Sequence, residues 1–181
     1  WKGRTKKDIY AINVNDGSQK PVKKDLQSII APSFISPTGK YIMWYDSKAR
    51  HYFAWDGTTT RNISQKIKFP LWNEENDTPD DPPPYGVMGW LEGDSLVSVY
   101  DRYNAYALNP DGKSQPVILN YYDGRPKKQS FRYVRTDPEE RYIIKGQKVL
   151  FRIFDEVTKK TALLKPPRKA TIFGDNLIFE N

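Results

Sequence analysis

The sequence has no cysteine, one histidine and no long apolar segment. Without cysteine, the chain cannot form disulfides, thiolate metal sites or a cysteine nucleophile. The single imidazole, that of His51, lies in an alternating aromatic segment, so we expect a packed or surface side chain rather than a catalytic base. No apolar run approaches the ~20 residues of a membrane-spanning helix, and no signal peptide is recognisable, so we expect no membrane span.

Hydrolase and cofactor motifs are missing as well. A serine hydrolase of the α/β class needs a nucleophile in a Gly-x-Ser-x-Gly turn, an acid and a histidine. No such pentapeptide occurs, because Gly93-Asp-Ser95 continues into Leu-Val. The paired carboxylates Glu139-Glu140 and Asp80-Asp81 would point to opposite faces of a strand, so neither pair forms a dyad by itself. With no phosphate-binding or zinc motif either, the sequence predicts no catalytic residue, no cofactor and no metal site.

The positive charge is spread along the chain rather than concentrated in a motif. The 29 Lys and Arg exceed the 22 Asp and Glu, giving a net charge of +7 and a pI near 9.4. Such a balance is compatible with nucleic-acid binding. However, the basic residues occur as short pairs such as Lys6-Lys7 and Lys127-Lys128, next to predicted turns. Lysine there is typical of solvated strand edges, so we expect no nucleic-acid partner.

What the sequence does contain is typical of strands and turns. It has 12 Tyr, 8 Phe and 5 Trp together with 14 Pro and 11 Gly. These aromatic residues favour strands, and Gly and Pro favour tight turns. No segment shows the three- and four-residue apolar spacing of an amphipathic helix. The nearest helical candidate, Asp137–Arg141, is better explained as a turn before a strand, and the sequence predicts an all-β fold.

Two patterns recur along the chain. In the first, an alternating strand runs into a glycine turn, at Asp8–Gly17, His51–Gly57 and Asn104–Gly112. Asp-Gly suits a tight hairpin because glycine adopts positive φ without steric cost. In the second, a polar turn precedes an apolar strand that ends in an aromatic residue and aspartate. These copies close at Asp46, Asp101 and Asp155, about 55 residues apart.

Four short strands per repeat are what a propeller blade requires. We therefore predict a partial β-propeller of about three to four blades, each with four antiparallel strands, as part of a larger protein. The predicted blades cover 1–30 in part, 31–70, 85–125 and 130–181. A free-standing all-β domain such as a sandwich is the architectural alternative.

An acidic, proline-rich loop, 71–85, separates two of the predicted blades. Its prolines at 79, 82, 83 and 84 exclude a central strand. We expect a surface loop. A calcium site is the alternative, although the alternating ligand spacing of a calcium loop is absent, and its ligands would be Glu74, Glu75, Asp77, Asp80 and Asp81.

Several segments resemble the non-catalytic β-propeller of serine peptidases of the prolyl oligopeptidase and dipeptidyl peptidase group, especially the versions found in Bacteroidetes-type bacteria. The segments are Ser36–Tyr45, Pro82–Trp90, Tyr100–Tyr103, Asn109–Gly112 and Phe131–Tyr142. The first also occurs in TolB-like and other propellers, and the likeness covers most of 8–165. Family members often have an acidic residue where this chain has Asn104.

The resemblance implies a periplasmic or secreted protein whose propeller gates and orients a peptide substrate. The chemistry would belong to a separate α/β-hydrolase domain with which this segment works. A TolB-like scaffold that binds protein or glycan partners in the cell envelope is the alternative function.

The candidate binding residues are Tyr100, Asp101, Arg102 and Tyr103. Two aromatic side chains flank an opposite-charge pair in this segment. Such a group offers stacking and a charge partner for a peptide terminus. The alternative is a packing cluster between strands with an ordinary surface ion pair.

Overall fold

The structure is a computed structural model, and it describes residues 6–27, 34–164, 171–173 and 176–178. In these residues the chain forms small antiparallel sheets and one short 3₁₀ helix, Glu92–Asp94. The expected all-β class is therefore confirmed. No helix in this part of the chain is long and apolar enough to cross a membrane.

The strands follow one another in chain order within each sheet. The first hairpin consists of β1 (Lys7–Ile12) and β2 (Gln19–Leu26). Sheet A consists of β3 (Phe34–Ile35), β4 (Ile42–Asp46), β5 (His51–Trp55) and β6 (Thr60–Asn62). Sheet B consists of β7 (Val87–Trp90), β8 (Val97–Tyr100), β9 (Ala105–Leu108) and β10 (Val117–Ile118). Sheet C consists of β11 (Gln129–Tyr133), β12 (Phe151–Asp155) and β13 (Thr161–Leu164), and β14 (Thr171–Phe173) pairs with β15 (Asn176–Ile178).

The sheets pack face to face in chain order, and side-chain alternation decides which residues of a strand face which neighbouring sheet. Successive strand residues point to opposite faces of a sheet. In β8, Val97 and Val99 face sheet A, whereas Tyr100 faces sheet C. Every residue of β8 and β9 is buried, because sheet B is covered on both faces. In sheet A, Trp44 turns away from sheet B and packs on the first hairpin.

Three hydrophobic layers hold the stack together. The layer between the first hairpin and sheet A includes Ile9, Leu26 and Trp44. The layer between sheets A and B is larger and includes Met43, Tyr52, Val97, Val99, Tyr106 and Leu108. The layer between sheets B and C includes Met88, Ala105, Phe131, Phe151 and Ile153. Burial of these apolar surfaces supplies most of the stabilisation, since an isolated small sheet is marginal in water.

The three recurring aspartates have the same structural role. Each lies at or just after the end of a second strand and closes the turn into the third. The Oδ1 atoms of Asp46, Asp101 and Asp155 each accept hydrogen bonds from the backbone N–H groups two and three residues later. In such Asx turns a side-chain oxygen accepts backbone N–H groups at the point where the chain reverses. The turns at Asp101 and Asp155 lie next to each other at one end of the stack, which we call the aspartate end.

Two loops test finer sequence predictions. The proline-rich loop contains no strand, as predicted, and a single bridge joins Trp72 to Pro84. The strand expected after the Asp137–Arg141 turn is wrong, because β12 begins only at Phe151. Ile143 instead makes a parallel bridge with Leu91, and its backbone groups bond to Trp90 of β7 and to Glu92 of the 3₁₀ helix. The division of the chain into propeller blades stays a prediction.

Candidate functional site

The aspartate end gathers charged and aromatic side chains from several connections. Turn 101–104 of sheet B and turn 155–160 of sheet C lie next to each other there. The proline-rich loop reaches the same place through Glu75, and segment 119–128 reaches it through Arg125. Since β8 and β12 end at equivalent positions of stacked sheets, residues that are far apart in sequence become neighbours.

Asp101 is a fully buried carboxylate at the centre of this end. Its Oδ1 atom accepts the N–H groups of Tyr103 at 2.7 Å and of Asn104 at 2.5 Å. Its Oδ2 atom accepts Arg125 Nη2 at 2.8 Å and the Tyr106 hydroxyl at 3.1 Å. Burial, together with the negative charge of Asp101, raises the pKa of Tyr106 well above its ordinary value. Asp101 is therefore an organiser of the turn, enclosed by its partners.

Arg102 points away from Asp101 and pairs with two other carboxylates. Its Nε and Nη2 atoms each donate to Glu156 at 2.9 Å, the bidentate geometry that is strongest for this pair. Its Nη2 atom also donates to Glu75 Oε1 at 2.5 Å. The bonds to Glu156 raise the pKa of Arg102 above its ordinary value. Burial alone would raise the pKa of Glu156, but hydrogen bonds from Arg102 and Tyr103 outweigh burial and lower it.

Two further arginines lie on aromatic rings at this end. The guanidinium of Arg125 lies 3.9 Å from the centroid of Phe69 and 5.0 Å from that of Tyr103. The guanidinium of Arg132 lies 4.7 Å from the centroid of Tyr100. Cation–π contacts of this kind hold the arginine side chains in place while leaving part of their hydrogen-bonding capacity for other partners.

An open recess of about 430 Å³ lies beside Arg102. It is lined by Glu75, Arg102, Lys128, Phe154, Glu156, Val157 and Lys159. Both carboxylates of the recess are bound to Arg102, whereas neither Lys128 nor Lys159 forms an ion pair with the described residues. Positive φ at both lysines places them in tight turns at the rim. The recess is thus lined by two ammonium groups that make no ion pair within the described residues, beside the apolar side chains of Phe154 and Val157.

The four residues predicted from the sequence lie together, but only Arg102 lines the recess. Tyr100, Asp101 and Tyr103 are buried and support the turn. The Tyr103 hydroxyl donates to Glu156 at 3.0 Å, and Tyr100 accepts the N–H of Tyr133 through its hydroxyl oxygen. Asn104 is also buried, and its side chain bonds to Asn120 and Asp123. These contacts explain why an asparagine is buried at position 104, without any need for a ligand.

Sequence reasoning missed the residues that meet Arg102 across the sheets. One signal for Glu156 was present: it directly follows Asp155, as Arg102 directly follows Asp101. Stacked repeats bring equivalent positions together, so the repeat register itself pairs these two side chains. Glu75 was named only as a ligand of the alternative calcium site. Like Lys128 and Lys159, it lies in a connection that varies between repeats, and no pattern indicates its contact with Arg102.

Other candidate groups do not assemble into a reaction centre. His51 contacts Ser64 Oγ through Nδ1 at 3.1 Å, and burial lowers the pKa of its imidazole. Within the ranges that the structure describes, no three His, Cys, Asp or Glu side chains lie close enough to hold a metal ion. No family model, curated protein or solved structure matches this chain.

Proposed function

We propose that the chain is a β-propeller segment that holds and orients peptide substrates for a separate α/β-hydrolase domain of a periplasmic or secreted serine peptidase. The sequential strand order and the face-to-face stacking of sheets A, B and C support the propeller architecture. The first hairpin fits as the last two strands of a further blade, because its Asp8–Gly17 pattern matches those around β5 and β9.

One observation carries the peptide-binding part of the proposal. The turns of sheets B and C and the proline-rich loop converge on Arg102, beside a recess that is lined by Lys128, Lys159 and exposed apolar side chains. An extended peptide presents carbonyl oxygens, side-chain or terminal carboxylates and apolar side chains. Lysine ammonium groups bind the first two, and Phe154 and Val157 offer contacts to the third.

The test is a binding titration with labelled peptides of varied sequence, read by fluorescence anisotropy. Arg102→Met removes the residue that orders the recess and is expected to weaken binding by roughly tenfold, the effect of losing charge-assisted hydrogen bonds. Arg61→Met is the matched control, since Arg61 also pairs with a carboxylate, that of Asp56, but at the opposite end of the stack. Equal effects of the two substitutions, or no peptide binding by the native chain, would count against the proposal.

A TolB-like scaffold is the second candidate. Exposed apolar side chains on the outer faces of the stack favour it, among them Tyr10, Ile12 and Leu163. Contiguous exposed apolar residues often mark contacts with other proteins. Binding of a folded envelope protein or a glycan, without binding of short peptides, is the result that this candidate predicts.

A further inference from the structure

Arg102 holds two carboxylates, and the two are bound unequally. Glu156 accepts bonds from both Nε and Nη2 of Arg102, accepts a third from the Tyr103 hydroxyl, and has a side chain that is 20% exposed. Glu75 accepts a single bond, from Nη2, and its side chain is 70% exposed. An exposed ion pair of this kind contributes little to stability, whereas a bidentate pair is strong and geometrically specific. Glu156 is therefore the fixed partner of the guanidinium, and Glu75 is the replaceable one.

The charges of the recess favour an anion in the place of Glu75. Three cations line the recess, Arg102, Lys128 and Lys159, together with the two carboxylates. Burial raises the pKa of Glu156, but hydrogen bonds from Arg102 and the charge of Lys159 outweigh burial, so two of the cations hold this carboxylate. If Glu75 left, three positive charges would face one negative charge. A carboxylate from outside restores the balance, whereas a neutral group does not.

Glu75 can leave the guanidinium without a change in the backbone of its loop. The two ends of the proline-rich loop are joined by a bond of 2.7 Å from the N–H of Asn73 to the carbonyl of Pro83. A second bond, of 3.1 Å, runs from the N–H of Glu74 to the hydroxyl oxygen of Tyr85. The N–H of Glu75 itself is bound locally, to Asn73 Oδ1 at 3.1 Å. None of these bonds uses the Glu75 carboxylate, so rotation of its exposed side chain is enough to free the Nη2 atom.

We propose that Glu75 occupies the position of a substrate carboxylate, and that peptides carrying a carboxylate bind by replacing it on Arg102. The inference rests on the peptide-binding function proposed above and adds the substrate class, peptides with an acidic side chain or a free C-terminus. The exchange substitutes one carboxylate for another on Nη2, so it changes the energy of that bond little. The gain comes from Lys128 and Lys159, which make no ion pair with Glu75, and from the neighbouring apolar side chain of Phe154.

The experiment compares three versions of one labelled peptide by fluorescence anisotropy at physiological salt, where long-range effects of charge are screened. The first version is neutral, with a glutamine and an amidated C-terminus. The second has glutamate in place of the glutamine, and the third has a free C-terminus. For the native chain we expect each carboxylate version to bind roughly tenfold more tightly than the neutral version, the effect of a charge-assisted hydrogen bond.

Glu75→Gln removes the internal competitor. It is expected to raise the affinity for the carboxylate peptides by roughly twofold to fivefold, the range that corresponds to an exposed ion pair, and to leave the affinity for the neutral peptide unchanged. Glu74→Gln is the matched control, because it removes the same charge from the neighbouring residue, whose side chain does not line the recess. It should change none of the three affinities. Both residues are exposed and both substitutions conserve side-chain size, so the thermal transitions should match that of the native chain.

A gain in affinity for only one of the two carboxylate versions identifies which carboxylate replaces Glu75 and supports the inference. Equal binding of the neutral and the carboxylate peptides by the native chain overturns it, and so does a Glu75→Gln variant that behaves like Glu74→Gln. In those cases the peptide-binding function still stands, because peptides bind. If neither the native chain nor Glu75→Gln binds any of the three peptides, the inference and the proposed function are overturned together.

Discussion

Asp101→Asn tests the distinction between the fully buried aspartate turn and the partly exposed ones. Asparagine retains an oxygen for the N–H groups of Tyr103 and Asn104, so the turn itself can form. At the second position the amide nitrogen, a donor, would face Arg125 Nη2, which is also a donor, while the Tyr106 hydroxyl would have to turn from donor to acceptor. Removing one partner of a buried ion pair costs about 3–5 kcal/mol. Because Arg125 is 23% exposed, we expect the lower end, about 3 kcal/mol.

Asp46→Asn is the matched control for this substitution. Asp46 makes the same two turn hydrogen bonds, but its second oxygen pairs with Lys23 at 3.0 Å in a partly exposed bridge. Such bridges contribute about 1 kcal/mol or less. Urea unfolding followed by the fluorescence of the buried Trp44 and Trp90 measures both variants, with the slope against urea expected to be unchanged.

The double variant Asp101→Asn with Arg125→Met sharpens the measurement. Because both substitutions disrupt the same ion pair, their combined destabilisation is expected to be well below the sum of the separate ones. If Asp46→Asn destabilises the fold as much as Asp101→Asn, or if the two substitutions at the ion pair add fully, then the assignment of Asp101 as a buried organiser is refuted.

Three further outcomes follow from burial, charge and backbone geometry. Hydrogen bonds from Thr158 and Gln129 lower the pKa of Asp155 to about 2, below the value of about 3.9 in the unfolded chain. The folded state therefore binds fewer protons, and the free energy of unfolding falls as the pH drops from about 4 to about 2. Asp155→Asn should flatten this part of the curve of stability against pH, measured by acid titration of unfolding. Leu108→Ala, at a buried site between sheets A and B, should lower the free energy of unfolding in urea by about 2–5 kcal/mol. Ile35→Ala, at an exposed site, should lower it by about 0.5 kcal/mol, and equal losses would contradict the stacked core. Gly124→Ala would place Cβ 2.0 Å from the backbone oxygen of Gln129, and overpacking of this kind costs about 1–3 kcal/mol, so an unchanged thermal transition would show that this close approach is absent.

The sequence was sufficient to predict the all-β class and the recurring turns. Strand alternation and glycine turns are local signals, and the aspartates 46, 101 and 155 mark positions whose hydrogen bonds stay within four residues. The prediction of a strand near Tyr142 was wrong because the hydrogen bonds of that segment are not local. Its backbone partners are Trp90 of β7 and Glu92 of the 3₁₀ helix, and a local apolar pattern does not distinguish a strand from a segment that bonds elsewhere.

The candidate site, like the fold, could be predicted from the sequence only in part. The segment Tyr100–Tyr103 was identified from its composition, but its burial depends on contacts with segments 119–128 and 155–160 that composition does not reveal. Arg102 turned out to be the member that reaches the recess, because its neighbour Asp101 is enclosed by its own turn. The partners Glu75 and Lys128 come from connections, where length and direction are not set by strand periodicity.

Mapping a bound peptide by NMR amide shifts tests the proposed function most directly. With assigned backbone signals, titration of a peptide that binds in the anisotropy assay should shift the amides of turns 101–104 and 155–160, which border the recess. The turns at the opposite end, 56–59 and 92–95, should stay unchanged. Shifts confined to that opposite end, or spread over the outer faces of the stack, would contradict a peptide site at the aspartate end.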